Sequence, residues 1–354
     1  GGSSGGSAAA LAANLLPLCT GSDTGGSLRM PAALCGIVGY RPSVGVVAHP
    51  TRPLGWSGIS VLGPMARTID DLALMLEVCR GHDLDDPLSV PVQARFDDLP
   101  EVPLQDLRVG YSEDFGGALV DPAIREVFRA RVEALRPHVK ECRPVDLDLG
   151  DMDRCFDILR AESFGVAFGA GVQKDPDSFG PHIKENVALG QTMSLADRGW
   201  AHNEQTRILR RFNALMREVD VIVLPASPVS PFAWTQSHPT RIDGQDMDIY
   251  YRWLALCYRG SLSGGPAITL PCGRDPHGMP FGLQMLGAVR GDEQLLGAAK
   301  SVETLFAADA ETARPLVDME ALAFSEIDLR SIVTHPPDLT STNDPNSHDM
   351  QTAV

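Results

Sequence analysis

Apolar positions along the chain change period repeatedly, and each change marks an element. Small and apolar residues run together from Ser7 to Leu16, which predicts a closely packed helix, and Leu16 to Thr20 predicts a short buried strand. A glycine-rich turn follows, then a helix over Leu28 to Leu34 and a strand over Ile37 to Tyr40. Thr68 is placed to cap the next helix with Asp71 at the capping-box position; Leu72, Met75, Leu76 and Cys79 form its apolar stripe and Gly81 stops it. Leu107 to Tyr111 predicts a strand. Asp121 and Pro122 then open a helix as N-cap and first residue, with Ile124, Val127, Phe128, Val132 and Leu135 on one face. Variable helical sequence fills residues 151–200, and a helix over Thr206 to Arg217 buries Ile208, Leu209, Phe212, Leu215 and Met216 while its arginines stay outside. Val219 to Leu224 is a continuous run rich in β-branched residues, the pattern of a central strand covered on both faces. Ala267 to Leu270 and Phe281 to Leu286 predict further strands, and Asp292 is expected to cap a final long helix. No repeat of roughly 20–50 residues is visible, which argues against solenoids and propellers. The alternation predicts an α/β fold with a mixed sheet in one domain over 1–335, followed by a disordered polar tail over 336–354.

Composition narrows the partners. The chain has 354 residues, 44% of them hydrophobic, with 46 Asp and Glu against 30 Lys and Arg and a formal net charge of −16. No basic face is on offer to neutralise phosphates, so neither nucleic acid nor an anionic membrane surface is an expected partner. Seven cysteines, odd in number and without a CxxC pair, argue against a disulfide framework and a cysteine zinc site and fit a reducing, cytoplasmic compartment. No apolar run reaches membrane-spanning length. The stretch Ala8 to Leu18 lacks a preceding basic residue and so does not fit a signal peptide; a first residue of Gly1 rather than Met leads us to expect a fragment of a longer protein. Just four lysines are present, Lys140, Lys174, Lys184 and Lys300.

The candidate chemistry lies in two glycine- and serine-rich stretches, Gly1-Gly2-Ser3-Ser4-Gly5-Gly6-Ser7 and Gly21-Ser22-Asp23-Thr24-Gly25-Gly26-Ser27-Leu28-Arg29-Met30-Pro31. The second is a turn between a strand and a helix, with Ser27 where the helix begins. Glycines there let backbone N–H groups converge on an anion or a developing oxyanion. A serine at that point is a candidate nucleophile, but it needs a base, and none of the histidines stands in a Ser-His-Asp spacing or a metal-binding pattern.

Together the two stretches resemble the signature of the amidase signature family of serine hydrolases. So do the later segments WSGISVLGPMART, DVIVLPASPV and GGPAITLPCGRDPHGMPFGLQMLG; the likeness runs over most of residues 1–330 and is weakest between about 140 and 205. The resemblance implies a large mixed β-sheet covered by helices on both faces, incomplete at its N-terminus. It implies that Ser27 attacks an amide carbonyl and that Ser3, following a cis peptide bond, relays protons between nucleophile and base. It implies an oxyanion hole from the backbone N–H groups of Thr24, Gly25, Gly26 and Ser27, a loop braced by Asp23 and Arg29, and no cofactor or metal. Asp23 and Arg29 are expected to pair. The family's third catalytic residue is a lysine upstream of the GGSS segment, and none of the four lysines stands in a matching context, so the base is absent from this chain.

Competing readings of the same residues are weaker. A bare Gly/Ser linker does not account for GSDTGGS at the family's spacing, and the G-x-S-x-G elbow reading of Gly1 to Gly5 needs a preceding strand. Asp146, Asp148, Asp151 and Asp153 miss the EF-hand pattern, with Gly150 at a ligand position, and read better as a strand end and a helix N-cap. His82, Asp83, Asp85 and Asp86 read as an exposed acidic loop, the arginines from 207 to 217 as a solvated helix face, and Cys35 as core packing. The expected function is hydrolysis of a carboxylic amide to acid plus ammonia or amine through a seryl acyl-enzyme. Activity of this chain alone is doubtful without the lysine. The alternatives are the amidase subunit of a tRNA-dependent amidotransferase complex and a non-catalytic remnant of the fold. The expected partners are a small-molecule amide and, beyond that, at most a second copy in a homodimer.

Overall fold

The computed structural model of the chain describes residues 3–233 and 236–320, and the tail expected over 336–354 lies outside them. Helix α1 (Gly5–Ala12) leads to strand β1 (Cys19–Asp23), helix α2 (Arg29–Cys35), and strands β2 (Val38–Arg41) and β3 (Val61–Ala66). Helix α3 (Ile69–Cys79) begins as its sequence predicts, with the Thr68 side chain accepting from the Asp71 amide at 3.2 Å. Strand β4 (Arg108–Tyr111), helix α4 (Pro122–Leu135) and strand β5 (Glu141–Pro144) follow. In α4 Ile124, Val127, Phe128, Val132 and Leu135 are all buried, so the apolar stripe faces the core. Asp121 precedes Pro122 but makes no side-chain cap; its carboxylate instead accepts from the Asp243 amide.

Helices α5 (Met152–Lys174), α6 (Pro181–Thr192) and α7 (Leu195–Leu215) form the middle segment, α5 packing on both others. The helix expected from Thr206 starts eleven residues earlier, at Leu195, because Ser194 and Asp197 close a reciprocal capping box; its first half is too polar to show an apolar stripe. Asp151 caps α5 as expected, accepting from the Arg154 amide, and Asp146 and Asp148 accept from backbone amides two residues on. Among the described residues no group of three His, Cys, Asp or Glu could hold a metal.

Strand β6 (Val221–Pro225) is buried at every position. The small strands β7 (Arg241–Ile242) and β8 (Gln245–Asp246) pair with each other, and helix α8 (Ala255–Ser261), strands β9 (Ala267–Arg274) and β10 (Pro280–Leu286) and helix α9 (Asp292–Ala307) complete the described chain. Asp292 does not cap α9 but is its first residue, and its carboxylate accepts instead from the Tyr40 hydroxyl at 2.7 Å and the Ser43 amide at 2.8 Å. The eight-stranded sheet runs β1-β3-β2-β9-β10-β6-β4-β5. The two pairings of β4 are parallel and the others antiparallel, so the sheet is mixed. Strand β1 lies at the sheet edge, and the turn that follows it carries Ser27.

Candidate active site

Strand β1 ends on Asp23, and that carboxylate organises the turn. Its Oδ1 accepts from the Gly26 amide at 2.9 Å and its Oδ2 from the Leu28 amide at 3.2 Å, which folds the Thr24–Ser27 loop back over the strand end. The expected Asp23–Arg29 pair is present and two-pronged: Arg29 Nε reaches Oδ2 at 3.0 Å and Nη2 reaches Oδ1 at 2.9 Å, with both side chains fully buried. Arg29 spends its remaining donors on the Cys257 carbonyl, Gln284 Oε1 and Ser261 Oγ, at 2.8, 2.6 and 2.7 Å. All five guanidinium protons are thereby placed.

A second arginine joins this group. Arg41, at the end of β2 and fully buried, donates to the Asp23 carbonyl oxygen, to Asp23 Oδ1 at 3.2 Å and to the Ile59 carbonyl at 3.1 Å. Burial alone pushes the Asp23 carboxyl up; the charges of Arg29 and Arg41 and the Leu28 amide outweigh it and hold the group well below the usual carboxylate range. Burial pulls Arg41 down to about 10, with Asp23 opposing.

Two glycines make the turn fit. Gly26 adopts φ +118°, and a Cβ there would lie 2.5 Å from Cys257 Cβ. A Cβ on Gly25 would lie 3.0 Å from Phe156 Cζ, so helix α5 of the middle segment touches the loop directly. Phe156 in turn stacks on Tyr258, with ring centroids 4.2 Å apart. Burial pushes the Cys257 thiol up to about 12, which makes it a neutral packing group beside the loop.

The amides of the loop divide into two sets. That of Gly26, expected among the oxyanion donors, is turned inward to Asp23. Those of Thr24, Gly25 and Ser27 have no protein acceptor among the described residues. Ser27 is half-buried between β1 and α2. Ser3 is exposed at the start of α1, whose Ser4 and Ser7 hydroxyls donate to the Ser22 and Thr20 carbonyls at 3.4 and 3.2 Å. The start of α1 is thus attached to the strand that leads into the Ser27 loop. Ser3, Ser4, Ser7, Gly21 and Leu62 line a cavity of about 480 Å³ whose lining does not include Ser27. The expected cis bond joins Gly2 to Ser3, and Gly2 lies outside the described residues. Of the lysines, Lys300 pairs with Asp70 at 2.5 Å, Lys140 and Lys174 are exposed, and none bonds to Ser3 or the loop among the described residues.

The sequence and the fold as a whole have known counterparts. The Amidase family model covers residues 1–296. The chain belongs to the amidase family. Its curated relatives include a glutamyl-tRNA(Gln) amidotransferase subunit from Picosynechococcus sp., 31% identical across 86% of this chain and 67% of that protein. Its counterpart from Salinispora arenicola is 32% identical over the same shares. Among solved structures, a bacterial aryl acylamidase of the amidase signature family superposes with a TM-score of 0.78 at 24% identity over 86% of this chain, which shows the fold. A chain of a vestigial protein complex, described as revealing the evolutionary origins of an s-triazine catabolic enzyme, matches with a TM-score of 0.75 at 27% identity over 89% of this chain. The chain spans about two thirds of the length of these relatives, 67% of the first and 65% of the acylamidase. Among the described residues no helix is long and apolar enough to cross a membrane.

Arg41, Gln284, Ser261 and Cys257 escaped the sequence reading. Arg41 sits next to a proline in an ordinary strand, and Gln284 and Ser261 join Arg29 from 255 and 232 residues away, with no local signal.

Proposed function

We propose that this family member hydrolyses a carboxylic amide through an acyl-enzyme on Ser27. The observation that carries the reading is the division of the loop amides: Gly26 is tied to Asp23, while those of Thr24, Gly25 and Ser27 have no protein acceptor among the described residues. Donors fixed in advance on a buried, fully bonded carboxylate do not reorganise when charge develops, and one such donor is typically worth about 3 kcal/mol in the transition state. Ser27 Oγ attacks the carbonyl carbon and its proton passes by way of Ser3 Oγ to a base. The carbonyl oxygen takes the negative charge and rests on the free amides. The C–N bond then breaks as the nitrogen takes up the proton, releasing ammonia or an amine, and water repeats the sequence to release the acid from Ser27. No metal or organic cofactor enters these steps. The base is a lysine that none of Lys140, Lys174, Lys184 and Lys300 supplies, so the chain alone hydrolyses amides weakly. The test is prolonged labelling by an excess of fluorophosphonate followed by peptide mapping: an adduct on Ser27 that Ser27→Ala abolishes supports the assignment, and an adduct on another residue in its place refutes it. Turnover of an aryl amide by the chain alone at an ordinary enzymatic rate would refute the external base.

A second reading is favoured by the names of the curated relatives: a component of an amidotransferase complex. Co-purification of stable partner proteins with the tagged chain would support it, and full activity with a free amide and no partner would exclude it. A cytoplasmic setting accompanies either reading.

A further inference from the structure

Half of the buried side-chain polar atoms without a hydrogen-bond partner among the described residues belong to three residues of one chain stretch, 41–52: Arg41 Nε, His49 Nδ1, Arg52 Nε and Arg52 Nη2. Arg52 lies in the connection between β2 and β3, and its side chain is 4% exposed. It points inward from a stretch whose neighbours Thr51 and Pro53 are exposed. Its Nη1 is used, reaching the Gly55 carbonyl at 3.3 Å and Asp86 Oδ1 at 3.6 Å. Asp86, expected in an exposed acidic loop, is instead 2% exposed and is occupied by the His49 and Leu88 amides at 2.8 and 3.0 Å. Asp86 is thus a buried partner of Arg52 rather than a solvated charge.

Two features of this cluster point to a ligand. The unused donors of Arg52, Nε and Nη2, form one edge of the guanidinium, the edge that grips a carboxylate with two parallel hydrogen bonds. Charge points the same way. Arg41 lies buried within electrostatic reach of both Arg29 and Arg52, and Asp23 and Asp86 are the carboxylates bonded or paired to the three. Three guanidinium groups against two carboxylates leave a positive charge in the interior. A water molecule would satisfy donors but not that charge, whereas an anion does both. Burial, with the Arg52 charge added, pulls the His49 imidazole down, so it is neutral at pH 7 and can turn an N–H toward the same place.

We propose that Arg52, with His49 and Arg41 beside it, forms a binding site for a carboxylate group. The ligand is a carboxylate held side-on by Arg52 Nε and Nη2, with Asp86 fixing the far side of the guanidinium. The site adjoins the Ser27 loop through Arg41, so the carboxylate either belongs to the amide substrate or arrives as a separate anion. The site itself does not depend on the amidase reading.

The experiment is a calorimetric titration of the full chain with acetate at constant ionic strength. Acetate binds saturably to the wild type. Arg52→Lys, which keeps the charge and removes the two-donor edge, weakens binding about tenfold or more, while Arg210→Lys on the exposed face of α7 leaves it unchanged. Circular dichroism establishes that both variants are folded, and His49→Gln, a milder change, gives a smaller loss. Non-saturable heats, or the same affinity in Arg52→Lys as in wild type, would overturn the site. Succinamate, which carries both a carboxylate and a carboxamide, identifies the source. If it shields Ser27 from the fluorophosphonate while acetate does not, the carboxylate is part of the substrate; binding without shielding identifies a separate anion. An adduct on another residue in place of Ser27 counts against the amidase reading and leaves the acetate result standing.

Discussion

The loop-bearing end of the sheet and the helical middle segment use the same arginine–carboxylate chemistry to opposite effect. Beneath the loop, Asp23 and Arg29 are both 0% exposed, and every donor of Arg29 has a partner. In the helices α5 and α7 two arginines are half in water: Arg154 is 51% exposed in its pair with Asp197, and Arg198 is 47% exposed in its pair with Glu162. A buried pair repays its desolvation when its geometry is complete, and it then fixes one arrangement of the backbone amides bonded to it. An exposed pair is screened and can break without consequence. The loop is therefore held by a few non-interchangeable bonds. The exposed pairs of the middle segment add little to its apolar packing by Phe156, Ile158 and Leu159 and to the more buried pairs that Asp153 and Asp157 make with Arg259 and Arg252.

The largest test of this contrast is Asp23→Asn. It keeps the shape and removes the charge that two buried guanidinium groups share, and chemical denaturation should show a loss of about 3–5 kcal/mol. Acid is expected to act on the same group. The folded Asp23 carboxyl titrates below its unfolded value, so its stabilisation is complete above about pH 4 and is lost as pH falls further. The wild type should therefore lose stability in acid more steeply than Asp23→Asn.

Gly26→Ala comes next, with a loss of at least about 2 kcal/mol, because the residue would need a left-handed backbone and would overlap Cys257. Reactivity of Ser27 toward the fluorophosphonate should fall with it, as the free amides move.

A smaller effect is expected where α3 meets α9. Glu303 accepts from the Ile69 amide with both oxygens at 3.2 Å, and burial, aided by Asp70, pushes its carboxyl up to about 7. A raised carboxyl binds more protons in the folded state, so stability declines as pH rises from about 4 to 7. Glu303→Gln keeps an acceptor for Ile69 and should flatten that decline, gaining on the order of 1 kcal/mol at pH 8. Thermal denaturation across pH 5 to 8 would show it, and an unchanged slope would refute the assignment. The smallest effect belongs to Arg154→Ala: the denaturation midpoint should not move measurably at about 0.5 M salt. A large shift there would break the contrast between the two regions.

Much of the architecture was legible from local pattern. The stripe of α4, the fully buried run of β6 and the Thr68 cap each appear where the period and the capping residues put them, because a helix or strand must bury one face whatever its partner. Legibility failed where polar groups carry the structure. The first half of α7 has no apolar stripe and is set by the Ser194–Asp197 box, and Asp292 looked like a cap yet serves Tyr40 and Ser43 from a distant strand and loop.

The candidate site divides in the same way. Local sequence was enough for the glycine loop, Ser27 at its end and the Asp23–Arg29 pair, since a separation of 6 residues and a turn bring those groups together with no help from the rest of the fold. It took the assembled fold to turn the Gly26 amide inward, to complete the charge cluster with Arg41, Ser261 and Gln284, and to bury Asp86 against Arg52. Each of these arrangements depends on desolvation and on partners contributed by other strands, loops and helices, and the spacing of nearby residues encodes neither.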